Sequence, residues 1–308
     1  MQRKVIISAE TIEATYTNRY LNGYNFIDPT SGFQFNFAGV MGFDKTAAIK
    51  QYANEIQAAL SEIKKIEAGE VMNYTSHPTE SENRKVDHYN LRMGDGLKNS
   101  VALWQEIKTY VNEIQSGIIT NEEGNAYTDV YFNGIGGSFL GPLMIIIAKH
   151  GREYNSGLKL KIHFVNNTDP DSFSQLMSKQ NLKTAIMVNI SKSGGTAETA
   201  GNMEAFNELV ANSGLNIGKH NIAVTTAGSK FDKFSKENNF MNTFYMNNET
   251  GGRTSVWSAV GMVPAAFADI NFYQFLKGAE YMDRLTRTEK AEKNPAMLFA
   301  LIIQDMID

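Results

Sequence analysis

The sequence predicts an α/β protein built on a parallel sheet with helices on both faces. Three observations carry that prediction. From Thr128 onward, short apolar runs ("DVYFNGI", "LKIHFVNN", "AIMVNIS", "NIAVTT", "NTFYMNN") alternate with stretches long enough for crossover helices. The runs are apolar throughout, as suits strands buried on both sides. Small polar and glycine-rich loops follow some of them, and in such sheets ligands sit beyond the carboxyl ends of the strands.

Taken in order, the first forty-odd residues are rich in aromatics, Asn and Gly, with little periodicity, and read as an extended arm with short strands or turns. A helix is predicted over residues 45–68, where Ile49, Tyr52, Ile56, Leu60 and Ile63 form one stripe. Another is predicted over residues 97–115 from Val101, Trp104, Ile107, Val111 and Ile114. After the alternating region, "NPAMLFALIIQDMID" opens a helix with Asn294 as N-cap and Pro295 at the first helical position. Its apolar residues lie nearly all round, and it runs to Asp308 without a stop signal, so the chain is expected to be a piece cut in or just after a helix. The expected division is an N-terminal arm with helices over residues 1–120, an α/β domain over 121–290, and the start of a further region over 291–308.

Composition narrows the function classes. Hydrophobic residues at 42% and charged residues at 20% of 308 are ordinary for a soluble globular protein. A net charge of −4 argues against nucleic acid or an anionic membrane as the main partner, though not against a local basic pocket. Cysteine is absent, which removes disulfides and thiolate chemistry and suits a reducing cytoplasm. The longest greasy run, "PLMIIIA", is too short to cross a bilayer.

Three loops carry the chemistry. In "ISKSGGTAET" a strand turns into a helix, whose first amides lack internal partners and sit at the positive end of its dipole. Gly194 and Gly195 allow close backbone approach, and Ser191, Ser193 and Thr196 offer hydroxyls. The sum is a cradle for a phosphate monoester, with Lys192 adding positive charge. It is not a Walker A loop, because Lys192 precedes the glycines; a tight turn capped by Thr196 is the plainer alternative. In "GIGGSFLGP", Phe139 stands where a dinucleotide fingerprint needs its third glycine. The glycines serve close strand–helix packing equally well when this loop is read alone, and Ser138 is placed to bond a sugar hydroxyl. In "GGRTSVWSAVG", Arg253 is suited to grip a phosphate or a developing oxyanion; read in isolation, a surface ion pair is the stronger reading. The five histidines (His77, His88, His150, His163, His220) show no metal-ligand spacing, so no metal is expected. Glu82, Arg84, Asp87, His88 and Arg92 cluster in "ESENRKVDHYNLR"; such clusters are mostly solvated faces or structural ion pairs, and Arg84 or His88 contributing to a site is the lesser alternative.

The three loops, in this order and spacing, resemble the glucose-6-phosphate isomerase family, and "ENRKVDHYNLR" is similar to that family's Arg-x-Val-x-His element. The resemblance runs from about residue 80 to the end. It implies a sugar-isomerase domain: a three-layer αβα sandwich on a five-stranded parallel sheet, here preceded by a helical segment. It implies interconversion of glucose 6-phosphate and fructose 6-phosphate through an enediolate, with no cofactor and with a homodimer as the full-length form. Carried over singly, Ser191, Ser193 and Thr196 with the Lys192 backbone would hold the phosphate. Gly137 and Ser138 would line the sugar, Arg253 would stabilise the enediolate, and Glu198 would support the site. Gly195 and Ala197 depart from the family, which often has a hydroxyl or amide there. The resemblance puts the carbon base, a Glu, and the ring-opening His and Lys beyond residue 308, so this stretch alone is expected to bind without isomerising. Competing readings are a non-catalytic sugar-phosphate-binding module, an isomerase of a related phosphosugar, and, last, an NAD-dependent oxidoreductase.

Overall fold

The computed structural model describes residues 9–72, 83–178 and 181–307; His77 and Glu82 lie outside them. The chain divides into two compact units, one within residues 1–65 and 279–308, the other within residues 66–278.

The amino-terminal stretch corrects the expectation of an extended arm. It begins with a helix, α1 (Ala9–Leu21), followed by a small antiparallel pair, β1 (Asn25–Ile27) and β2 (Gln34–Asn36). Helix α1 buries none of its residues, so it has no apolar stripe to betray it. Its anchor is polar. Arg19 donates to the carbonyls of Ala38, Val40 and Phe43, each at 2.9 Å, and lies 3.8 Å over the Tyr24 ring. The helix expected over 45–68 forms as two pieces, α2 (Lys45–Gln51) and α3 (Ala53–Glu67), interrupted at Tyr52. Asp44 starts α2 by accepting from the amides of Thr46 and Ala47.

In the second unit the predicted alternation is realised. Helix α4 (Gly94–Gln115) buries Trp104, Ile107, Val111 and Ile114, four of the five predicted stripe residues. Then follow β3 (Asp129–Asn133), α5 (Gly137–His150), β4 (Lys161–Val165), α6 (Pro170–Ser178), β5 (Ala185–Ile190), α7 (Ala197–Asn212), β6 (Asn221–Thr225), α8 (Lys230–Glu237), β7 (Asn242–Tyr245), α9 (Ala259–Phe267) and α10 (Phe272–Leu285). The five strands form one all-parallel sheet in the order β4-β3-β5-β6-β7. Every residue of β3, β5 and β6 is buried, because helices cover both faces, whereas the edge strands β4 and β7 keep exposed positions.

Side chains alternate between the two faces. Val130, Phe132, Ile186, Val188, Ile222 and Val224 pack with α4, α5 and α9. Tyr131, Ala185 and Met187 pack with Met177 of α6 and with Phe206 and Val210 of α7. On this second face α8 is held by Ser235, whose hydroxyl meets that of Thr243 at 3.0 Å. The second unit is thus the predicted three-layer αβα sandwich. Full burial of each large side chain in it contributes about 1.5–3 kcal/mol.

Helix α11 (Pro295–Ile307) starts as predicted, with the Asn294 Oδ1 accepting from the amides of Ala296 and Met297 at 3.1 Å. It buries Leu298, Leu301 and Ile302 among Phe37, Phe43, Tyr52, Ile56 and Leu60. Among the described residues no helix is long and apolar enough to cross a membrane.

Candidate active site

The sheet order has one point where the chain reverses direction across it. From β3 the chain crosses to β4 on one side, and from β5 to β6 on the other. Between the carboxyl ends of β3 and β5 the outgoing segments diverge and leave a crevice, the usual ligand position in an open α/β sheet. Residues 134–138 leave β3 there and residues 191–196 leave β5. The helices that follow, α5 and α7, both begin at this rim, so two positive dipole ends meet at it.

The loop after β5 is fixed by its own backbone. The Ser191 amide donates to Val224 O at 3.1 Å, and Lys192 O accepts from the Thr226 amide at 3.1 Å and the Thr225 hydroxyl at 3.0 Å. The amides of Gly194 and Gly195 reach the hydroxyl oxygens of Ser191 and Ser193, each at 3.2 Å. Gly194 is required here. Its φ is +78°, and a Cβ would stand 2.8 Å from the Cβ of Phe231.

Thr196 occupies the N-cap of α7 with extended dihedrals, yet its side chain makes no capping bond. The first bond back into the helix is from the Ala200 amide to Thr196 O at 3.1 Å. Among the described residues, the amides of Ala197, Glu198 and Thr199 are therefore the helix's unpaired donors. Ser193, Gly195, Ala197 and Glu198 are exposed, so the corner is open to a ligand. Alongside, a largely apolar groove of about 690 Å³ runs between α7 and α8 and shares only Ser191 and Gly194 with the loop.

The other two loops meet backbone to backbone. Helix α5 starts within "GIGGSFLGP", at Gly137, so Ser138 lies in a first helical turn rather than in a loop. A Cβ on Gly137 would stand 1.9 Å from Gly252 O and 3.1 Å from the Arg253 amide. Arg253 belongs to a 3-10 segment, Gly252–Trp257, that leads into the fully buried α9. The segment is pinned by the Ser255 hydroxyl on Gly252 O at 2.7 Å and by Ser258, which caps α9. The Arg253 side chain is exposed, and among the described residues it makes no hydrogen bond or ion pair.

The chain's match to the phosphoglucose isomerase family model covers residues 42–307. The chain belongs to the phosphoglucose isomerase family. Among curated relatives, glucose-6-phosphate isomerase of Prochlorococcus marinus is 36% identical over 260 residues, spanning 80% of this chain and 47% of its own length. That of Trichormus variabilis is 35% identical over 269 residues, spanning 85% of this chain and 49% of its own. A crystal structure of a glucose-6-phosphate isomerase from Chlamydia trachomatis superposes with a TM-score of 0.75 at 25% identity, over 96% of this chain and 54% of that one. The chain thus spans about half the length of the curated relatives it matches.

Within this phosphoglucose isomerase fold the predicted site residues fall at one rim. Gly137 abuts the backbone of Gly252 and Arg253, Ser138 follows it in the first turn of α5, and Ser191, Lys192, Ser193, Thr196 and Glu198 gather at the neighbouring strand end. The segment read from the sequence as a solvated face or a set of structural ion pairs packs against the loop before Arg253. Arg84 Nη1 donates to Thr250 O at 3.2 Å, the Lys85 amide to Glu249 at 2.7 Å, and Asn247 to Asp87 at 2.6 Å. Arg92 lies 5.5 Å over the Trp257 ring. Residues 84–92 thus brace the loop that presents Arg253. His88 stacks on Tyr89 at 4.3 Å, and burial together with the charge of Arg92 pushes its pKa down to about 4. The sequence signal was the charge cluster itself, but nothing in its spacing named the partner loop. Among the described residues no group of three or more His, Asp or Glu is placed to hold a metal ion.

Proposed function

We propose that this chain supplies the substrate grip of an aldose–ketose isomerase that interconverts glucose 6-phosphate and fructose 6-phosphate. The supporting observation is the bare start of α7: a Thr hydroxyl unused as a cap and three unpaired amides, at the point where a doubly wound sheet holds its ligands. A phosphate dianion accepts from these donors and from the hydroxyls of Ser191, Ser193 and Thr196. The sugar then extends along Gly137 and Ser138 toward Arg253, whose planar fork faces the oxygens that gain charge in an enediolate. Glu198, in the first turn of α7, supports the site. Ring opening and proton transfer between adjacent carbons need an acid–base pair. The family resemblance assigns those groups to a segment after residue 308. For a polypeptide of these 308 residues, binding without turnover is expected.

The test is a thermal-shift titration with glucose 6-phosphate, fructose 6-phosphate and NAD. A ligand at 100 times its Kd stabilises by about 2.7 kcal/mol, well within reach of the method. Stabilisation by both hexose phosphates and not by NAD is expected; stabilisation by NAD alone would overturn the reading. Turnover of fructose 6-phosphate by material free of host isomerase would refute the division of labour while leaving the grip intact.

A further inference from the structure

Beneath α7 the sheet is crossed by a line of buried side-chain amides. Asn133, Asn189 and Asn221, on three adjacent strands, are each 0% exposed. Asn202 of α7 donates to Asn133 Oδ1 at 3.3 Å and to Asn167 O at 2.9 Å. Asn133 donates to Asn189 Oδ1 at 2.7 Å, Asn189 to Asn221 Oδ1 at 2.8 Å, and Asn221 to Asn207 Oδ1 at 2.8 Å. All donors run the same way, so each amide polarises the next.

Asn133 differs from the others in one respect. Its second amide hydrogen goes to Thr199 O at 2.8 Å, in the first turn of α7. Asn133 is also the last residue of β3, directly before the Gly134 turn that leads into α5. One side chain therefore ties the end of the strand that leads to the sugar-lining residues to the helix start that carries the unpaired amides. Both amide hydrogens and the carbonyl of Asn133 are used, so no other residue type of this size meets all three demands.

We infer that Asn133 is a positioning residue for the anion site: it sets the first turn of α7 so that the amides of Ala197, Glu198 and Thr199 converge on the crevice. This rests on the sugar-phosphate reading above. Asn221 serves as the internal control, because it belongs to the same line but touches α7 at Asn207, well past the first turn. Its other donated bond, to Ile217 O at 3.0 Å, lies outside the helix.

The experiment compares N133L, N133S and N221L in the 308-residue chain. It measures the melting temperature, the Kd for glucose 6-phosphate, and the amide NMR resonances of Ala197, Glu198 and Thr199 without ligand. N133L and the milder N133S are expected to weaken binding at least tenfold and to shift those resonances. N221L should lower the melting temperature comparably, yet keep Kd within threefold and the resonances in place. Equal binding losses in N133L and N221L, unmoved resonances in both Asn133 variants, or failure of both to fold would overturn the inference and leave Asn133 a stability residue. If the wild-type chain binds no glucose 6-phosphate, the functional reading fails on that point, and the resonances alone still decide whether Asn133 sets the helix start.

Discussion

Thr196 and Ser229 stand at the N-caps of neighbouring helices and use their hydroxyls differently. Ser229 accepts from the Asp232 amide at 3.0 Å, the usual capping bond, while Thr196 makes none. A Ser229→Ala change is therefore expected to cost about 0.5–2 kcal/mol of stability with ligand affinity unchanged. Thr196→Val should do the reverse. On the proposed reading it removes a donor to the phosphate, weakening binding by about 1.5–3 kcal/mol, the scale of a hydrogen bond to a charged group, and leaves the melting temperature nearly where it was. Calorimetric titration with glucose 6-phosphate, run beside thermal melts, checks both; a stability loss in T196V with full affinity would mean that the hydroxyl caps the helix after all. For Arg253→Lys, an ammonium replaces a planar fork but keeps the charge. In any form of the protein that isomerises, kcat should fall more than affinity, and equal losses in both would demote Arg253 to a general binding group.

At the scale of elements, α5 and the 3-10 segment Gly252–Trp257 meet backbone to backbone at Gly137. No side chain separates Gly137 from Gly252 O, so a methyl group at residue 137 can be accommodated only by moving one backbone away from the other. Gly137→Ala should cost about 1–3 kcal/mol of stability and weaken hexose phosphate binding more than inorganic phosphate binding. On the proposed reading the phosphate sits on α7, whereas the sugar lies along the displaced junction. A urea melt and paired titrations with the two ligands check this; identical losses for both ligands would mean that the junction does not line the sugar.

Elements of this kind differ in how openly the sequence declares them. The five strands were legible because each is an apolar run bounded by polar residues, and α4 because its stripe is regular. The strand–helix corner at "SKSGGT" was legible because a polar, glycine-rich break separates an apolar run from a helical one. Helix α1 was not, since it is held by the three hydrogen bonds of Arg19 and buries nothing. The asparagine line was not, since one Asn near the end of an apolar run looks like the beginning of a loop. Only the strand register, which sets Asn133 opposite Asn189, turns isolated polar residues into a network.

For the whole molecule, acid sensitivity should come in two steps, and the sign of each follows from its group. His88 is half-buried and prefers to stay neutral: burial, then the Arg92 charge, lower its folded pKa to about 4, against about 6.5 in an unfolded chain. Between these values the unfolded state holds the extra proton, so stability rises with pH and falls on acidification from about 6.5 to 4. The second step belongs to carboxylates such as Asp129. Burial alone would raise its pKa, but hydrogen bonds from His163 at 2.8 Å and Thr128 at 2.7 Å outweigh it and hold the group below its ordinary value. A depressed carboxylate contributes stability that is complete above the unfolded pKa, about 3.9, and is lost as pH falls through the folded one. Urea midpoints measured from pH 8 to pH 3 should thus decline first across the histidine window and again below about pH 4. His88→Gln removes only the first decline. Because residues 84–92 brace the loop of Arg253, that first decline should be smaller when a saturating hexose phosphate holds the loop, with the second left in place. A wild-type midpoint that is flat from pH 7 to 4.5, or a first decline that survives in H88Q, would place the sensitivity on another group.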